Sequence, residues 1–235
     1  MSTEDLTLSR LVVGALETNC WILRETGSNH ALVIDPGDEP DRVLDAVGDL
    51  TVVAVAVTHA HFDHVLGLAE VAGRLGAPII GHPAEEAVWR NELTDLRTRG
   101  YFDAGTATET LLAEGRPPRP DPALPLWQGH FDQHVSDGDT IALGELRVRV
   151  LHAPGHTPGG ICLAVRGQLF TGDTLFPGGP GLTGWPLSDF DTIMISVRRL
   201  LGEFPADTVV HPGHGSDTTV GRESPHVEEW QSRGW

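Results

Sequence analysis

The run Thr51-Val52-Val53-Ala54-Val55-Ala56-Val57 leads directly into Thr58-His59-Ala60-His61-Phe62-Asp63-His64. So apolar a run reads as a buried strand, and the C-terminal end of such a strand is where α/β proteins place their ligands. Three imidazoles and a carboxylate between His59 and His64 are costly to bury unless something organises them. A divalent metal ion does so, because neutral imidazoles and carboxylates are its usual donors.

The rest of the composition narrows the class. A chain of 235 residues is long enough for one large domain with a sizeable core, or for two small ones. Forty per cent hydrophobic residues and 28 glycines suit an α/β protein with many tight turns. A formal charge of −17 argues against nucleic acid or an anionic membrane surface as partner. All 16 basic residues are arginine. The two cysteines, Cys20 and Cys162, lie in apolar, strand-like contexts and read as buried reduced thiols. With no leader pattern and no apolar run near about 18 residues, a cytoplasmic protein is expected.

Short apolar runs separated by turn signals predict strands at Leu11–Ala15, Cys20–Arg24 and Ala31–Ile34, the last closed by Asp35-Pro36-Gly37. Helical spacing follows over Pro40–Val47 and, after the histidine-rich loop, over Asp63–Leu75, with Pro78–Gly81 as the next strand. The second half repeats this grammar. Thr140–Leu143 and Leu146–His152 form an expected hairpin, with strands at Ile161–Val165, Gln168–Thr171 and Thr208–His211 and a helix over Asp191–Leu201. Two β-rich halves with outer helices predict a four-layer αββα sandwich, a single domain over residues 1–235. Residues 84–134 are expected to form an inserted excursion: a helix over Ala84–Leu96, a second over Thr106–Ala113 and a proline-rich stretch over Gly115–Leu126. A connection so long is either a wall over a site or a surface excursion.

Further ligand-type residues sit in Gly/Pro-rich turns where strands end: His156 in Ala153-Pro154-Gly155-His156-Thr157-Pro158-Gly159-Gly160, Asp173 in Thr171-Gly172-Asp173-Thr174-Leu175-Phe176, and His214 in His211-Pro212-Gly213-His214-Gly215. Such turns can pin a side chain inward. His152 and His211 lie near them and are candidates for orienting a ligand, or are plain strand-end histidines. His30, His82 and His226 read as ordinary, and His130 with His134 as too loop-bound for a separate metal.

The set His59, His61, Asp63, His64, His156, Asp173, His214 resembles the signature of the metallo-β-lactamase superfamily, in order and approximate spacing, from about residue 10 to 226. The phrases Thr18-Asn19-Cys20, Asp35-Pro36-Gly37, HTPGG, GDTLF, HPGHG and TTVGRE resemble short bacterial glyoxalase II-like hydrolases. The resemblance implies two divalent metal ions, zinc first with iron or manganese as alternatives. His59, His61 and His156 would hold one, Asp63, His64 and His214 the other, and Asp173 together with a hydroxide would bridge them. It implies hydrolysis of a small-molecule thioester or ester by that hydroxide, with Asp63 and Asp173 as catalytic carboxylates. Glyoxalase II enzymes grip glutathione with basic residues in a C-terminal helical region, whereas 21 residues follow His214 here and lysine is absent. The thiol carrier therefore stays open. Persulfide dioxygenases also resemble this pattern and use one iron on residues matching His61, His156 and Asp173; lactonases and phosphodiesterases share the two-metal site. Phe176 and Trp185, which bound the run after Asp173, are candidate apolar contacts for substrate, and Arg222 is a candidate partner for a substrate carboxylate.

Overall fold

The computed structural model describes residues 5–98 and 125–234. Its first sheet runs in chain order: β1 (Leu6–Val13), β2 (Thr18–Glu25), β3 (His30–Ile34), β4 (Thr51–Ala56), β5 (Ile79–Gly81) and β6 (Gln133–His134). β1 to β3 are antiparallel neighbours, and β3 to β6 are parallel. Parallel neighbours need crossovers, which here carry α1 (Pro40–Val47), α2 (Phe62–Val65), α3 (Leu68–Leu75) and α4 (Glu85–Thr98).

The second sheet contains β7 (Thr140–Leu143), β8 (Leu146–His152), β9 (Ile161–Val165), β10 (Gln168–Gly172), β13 (Val209–Pro212) and β14 (Thr218–Thr219), in the order β14-β13-β10-β9-β8-β7. A small ribbon, β11 (Leu175–Phe176) with β12 (Gly179–Pro180), follows β10. The parallel step from β10 to β13 is crossed by α5 (Phe190–Glu203). Its first turn is capped by Asp189, whose carboxylate accepts the Thr192 N–H at 2.7 Å. The chain then turns through α6 (Val220–Glu223) and one 3₁₀ turn into α7 (Val227–Arg233).

Successive strand residues face opposite sides of a sheet, and this alternation builds the layers. Cys20, Ile22, Ala31 and Val33 face α1, α3 and α4 with Val43, Val71 and Trp89. Trp21, Leu23, Leu32 and Ile34 face inward, against Val148, Val150, Ile161, Leu163 and Phe170 of the other sheet. That sheet's far side, with Leu151, Cys162, Ala164 and Leu169, packs on Ile193, Met194, Val197 and Trp230 of α5 and α7. The four-layer αββα sandwich is therefore present, and both cysteines are buried and unbridged. Among the described residues, no helix is long and apolar enough to cross a membrane.

Two expectations are corrected and one strand is added. β1 begins at Leu6 and ends at Val13, because it pairs along its whole length with β2 (Leu6 with Glu25, Val13 with Thr18) although its side chains are mostly half exposed. The helix expected over Asp63–Leu75 is two pieces, since Gly67 packs on the Gly37 turn, where a Cβ would lie 3.2 Å from the Gly37 carbonyl. Strand β6 has two exposed residues and no apolar signal to read. The helix expected over Ala84–Leu96 is α4. Thr106–Ala113, and all of Gly115–Leu126 but its last two residues, lie outside the described residues.

Candidate metal centre

The ligand-type residues sit just beyond strand ends drawn from both sheets. β4 delivers His59 and His61, and α2 continues that loop with Asp63 and His64. The β8–β9 loop carries His156, Asp173 follows β10, and His214 lies just past β13. Two sets of donors that share no residue form, His59, His61 and His156, and Asp63, His64 and His214, and a third group, Asp35 with His59 and His64, overlaps both; the donor atoms of each lie within 4.8 Å of one another. Asp173 touches both. One of its oxygens is 3.6 Å from His156 Nε2 and 3.5 Å from His214 Nε2, and the other is 3.6 Å from His64 Nε2. Gly213 makes this approach feasible, because a Cβ there would lie 2.1 Å from Asp173 Oδ1.

Within this cluster, His59 Nε2, His64 Nε2 and Asp173 Oδ1 are buried without a hydrogen-bond partner. Each such orphan costs about 1–3 kcal/mol, so three together call for a group that satisfies all of them. The imidazole and carboxylate donors fit divalent metal ions, and neither cysteine joins the set.

The remaining ring and carboxylate atoms are tied down, as metal ligands require. Asp35, buried at the end of β3, accepts His64 Nδ1 at 2.9 Å and the Thr58 N–H at 2.7 Å. The Thr18 hydroxyl donates to Asp63 Oδ2 at 2.7 Å. His156 Nδ1 donates to the Leu182 carbonyl at 2.8 Å and His214 Nδ1 to the Leu16 carbonyl at 2.9 Å, and these bonds fix both tautomers. Asn19, beside Thr18, donates from its side chain to the carbonyls of Pro212 and Gly215 at 3.0 Å, pinning the turn that carries His214.

Electrostatics divide the two sets. Burial, then the neighbouring His156, holds the His61 pKa down to about 3. Burial also lowers His59, with His64 and His61 adding to it, and lowers His156. In the other set burial again opposes the charge but loses: Asp63, Asp35 and Asp173 lift His64 to about 9, and contacts with Asp173 and Asp63 lift His214 to about 11. The carboxyls of Asp63 and Asp173 are correspondingly held below their ordinary range, despite burial, by His64 and His214.

The centre floors a cavity of about 490 Å³. Trp185 lines it and meets His156 and His61 edge-on, with ring centroids 5.2 and 5.7 Å apart. Leu16, Val88, Pro186 and Leu187 add apolar walls, while Asn91, Glu92 and Asp95 of α4 add polar ones. Phe176 is not among the lining residues; it stacks on His214 at 6.4 Å. Arg222 is exposed on α6, also outside the lining. Of the two candidate orienting histidines, His152 bonds the Pro158 carbonyl at 3.0 Å, two residues beyond His156. His211 instead packs between Trp21 and Phe170 and bonds Gln168. His134 bonds Glu86, and the described residues place neither it nor His130 in a metal-type group.

Sequence reasoning missed two buried carboxylates, Asp35 and Glu85. Asp35 was readable only as a turn residue, although it ends a strand parallel to β4. Burial pushes the Glu85 carboxyl up to about 7, against the N–H groups it accepts from Ala60 and Gly159 at 2.6 and 2.7 Å.

The sequence model of the metallo-beta-lactamase superfamily matches residues 13–214. The hydroxyacylglutathione hydrolase GloC of Haemophilus influenzae is 30% identical over 223 residues, 93% of this chain and 95% of that protein. An uncharacterized protein of Aquifex aeolicus is 34% identical over 90% of each chain. The crystal structure of TTHA1623 in a di-iron-bound form is 31% identical, with a TM-score of 0.70 over 92% of this chain and 96% of that one. With fold, donor set and sequence in agreement, the chain belongs to the metallo-beta-lactamase superfamily of metal-dependent hydrolases.

Proposed function

We propose that this chain is a binuclear hydrolase that cleaves a small-molecule thioester. The observation that carries the reading is Asp173, whose two oxygens lie 3.5–3.6 Å from ligand nitrogens of both sets. A carboxylate so placed favours a pair of ions over one. Zinc suits the imidazole-rich set, and iron or manganese is compatible; the di-iron form of TTHA1623 supports iron as the alternative. Bound there, two divalent ions supply Lewis acidity and a water acidic enough to attack at neutral pH.

The chain's own residues supply the rest. Asp63, fixed through one oxygen by Thr18, has the other to orient the attacking water. Trp185, Leu187, Leu16 and Val88 offer an apolar surface for the acyl group. The GloC relative supports a thioester as the bond cleaved.

The test is metal content together with thiol release. Protein purified without chelator is expected to hold about two ions per chain and to release thiol from thioesters such as S-lactoylglutathione or those of N-acetylcysteamine. A single iron, with dioxygen uptake on a thiol persulfide and no thioester turnover, would replace this reading with the dioxygenase one.

A further inference from the structure

Glu85 is a fully buried carboxylate that neither lines the cavity over the centre nor belongs to either donor set. Buried acids are rare without a purpose-built environment, and its environment consists of ligand-bearing loops. One oxygen accepts the N–H of Ala60, the residue between His59 and His61, at 2.6 Å. The other accepts the N–H of Gly159, three residues after His156, at 2.7 Å. One side chain on α4 thus joins the two separate loops that supply all three histidines of the first set. Gly159 is shaped for it, since a Cβ there would lie 2.8 Å from a Glu85 oxygen and 2.9 Å from the Glu85 nitrogen. A backbone bond from the Ile161 N–H to the Thr58 carbonyl, at 2.9 Å, closes the same seam. The other buried carboxylate beside the centre, Asp35, bonds the His64 ring directly and also accepts the Thr58 N–H.

We propose that Glu85 is the positioning residue of the His59–His61–His156 set: by clamping the peptide N–H groups of Ala60 and Gly159, it fixes the spacing of the three imidazoles and so sets the metal affinity of that set alone. The proposal rests on the metal centre proposed above and not on its thioester substrate.

Glu85→Gln tests it, because the amide keeps the shape but turns an NH₂ group toward one of the two N–H donors. Each set is isolated first, with His214→Ala leaving the three-histidine set and His61→Ala leaving the other. Zinc affinity of the metal-free proteins is then read by competition with a chromophoric chelator, and cobalt(II) spectra report ligand geometry. Adding Glu85→Gln to His214→Ala is expected to weaken zinc about 10–100-fold, the usual effect of an outer partner of a ligand, and to change the cobalt spectrum. Added to His61→Ala, it is expected to change neither. In the otherwise unaltered chain, excess zinc should restore turnover to Glu85→Gln.

Equal affinities with and without Glu85→Gln in the His214→Ala protein would overturn the proposal, as would equal weakening in both backgrounds. If Glu85→Gln does not fold, Glu85→Asp, charged but one methylene short, is read the same way; loss of the fold in both would make Glu85 a support of the fold and overturn its assignment to one set. Failure of the starting chain to bind zinc or cobalt at all would instead sink the metal centre itself.

Discussion

The two donor sets meet at Asp173 yet are held in opposite ways. His59, His61 and His156 face mainly one another, with His156 Nε2 only 3.0 Å from His61 Nδ1, and burial keeps them neutral. His64 and His214 face Asp63 and Asp173, which keep them protonated. The first set holds neutral rings, two of them joined by a hydrogen bond, with the shared Asp173 as its nearest anion, while the second is an ion-pair network with Asp63 and Asp173. A metal ion would therefore displace protons from the second set and not from the first. Of the outer carboxylates, Glu85 reaches its set through backbone N–H groups, whereas Asp35 bonds a ligand ring of the second set and the backbone of Thr58 beside the first.

The largest way to break this comparison is to remove what the sets share. Asp173→Ala takes a ligand from both and leaves His64, His156 and His214 without their common anion. Hydrolysis is expected to fall by more than about 10³-fold, at or beyond the cost of losing one oriented electrostatic partner in an active site. Elemental analysis is expected to show well under the metal content of the unaltered chain. Retention of full metal content would mean that the sets are independent and Asp173 is no bridge.

Acidity separates the sets without any substitution. Ligands must lose their protons to bind metal, so affinity rises with pH until the ligand's own pKa is passed. With His64 at about 9 and His214 at about 11, both are protonated at neutral pH. Zinc binding in the His61→Ala protein should therefore release protons, and affinity should climb by up to roughly 100-fold per pH unit where two protons leave together. His61, at about 3, and His59 and His156, both lowered, carry no proton to displace. The His214→Ala protein should thus bind zinc with little dependence on pH from neutrality upward. Calorimetry in buffers of different ionisation enthalpy counts the protons directly. Equal release in both proteins would erase the distinction.

How much of this was legible depends on where each residue's partners lie in the chain. His59, His61, Asp63 and His64 announce themselves because they are crowded into one loop after one apolar strand. His156, Asp173 and His214 were readable for a related reason: each sits in a Gly/Pro turn at a strand end. Glu85 was not, because a glutamate pair in the first turn of a helix reads as an ordinary partner of the helix dipole. Only the tertiary fold brings Ala60 and Gly159 to it. The TTVGRE phrase shows the converse. Its arginine drew attention as a charge, yet it is Glu223 that is buried, bonded to the Thr218 hydroxyl and accepting the Gly178 N–H at 2.9 Å in the turn after Phe176. A sequence displays charge, but burial of a charge is a property of contacts that cross the chain.

The smallest expected effect is the sharpest test of the division. Asp35 accepts three donors: the Thr58 N–H, the Thr58 hydroxyl and His64 Nδ1. Asparagine at this position has one acceptor oxygen and an NH₂ group, so at least one of those donors would face another donor. The N–H of Thr58 belongs to rigid backbone, whereas the imidazole of His64 can turn, so the bond to His64 is the one expected to fail. Losing it removes the anion that holds the proton on Nδ1 and leaves Nε2 free to bind, and it removes one of the charges that raise His64 to about 9. Asp35→Asn is expected to weaken zinc about 10–100-fold in the His61→Ala protein and to flatten its pH dependence, as His64 gives up its proton more readily. In the His214→Ala protein it is expected to change less, since there Asp35 acts only through Thr58, whose hydroxyl lies 3.2 Å from His59 Nδ1. Asp35→Asn and Glu85→Gln should then act on different sets and combine independently, as substitutions without shared partners do. Strong coupling between the two, measured as a double-mutant cycle on zinc affinity, would mean that the two carboxylates support one rigid centre and not two sets joined at Asp173.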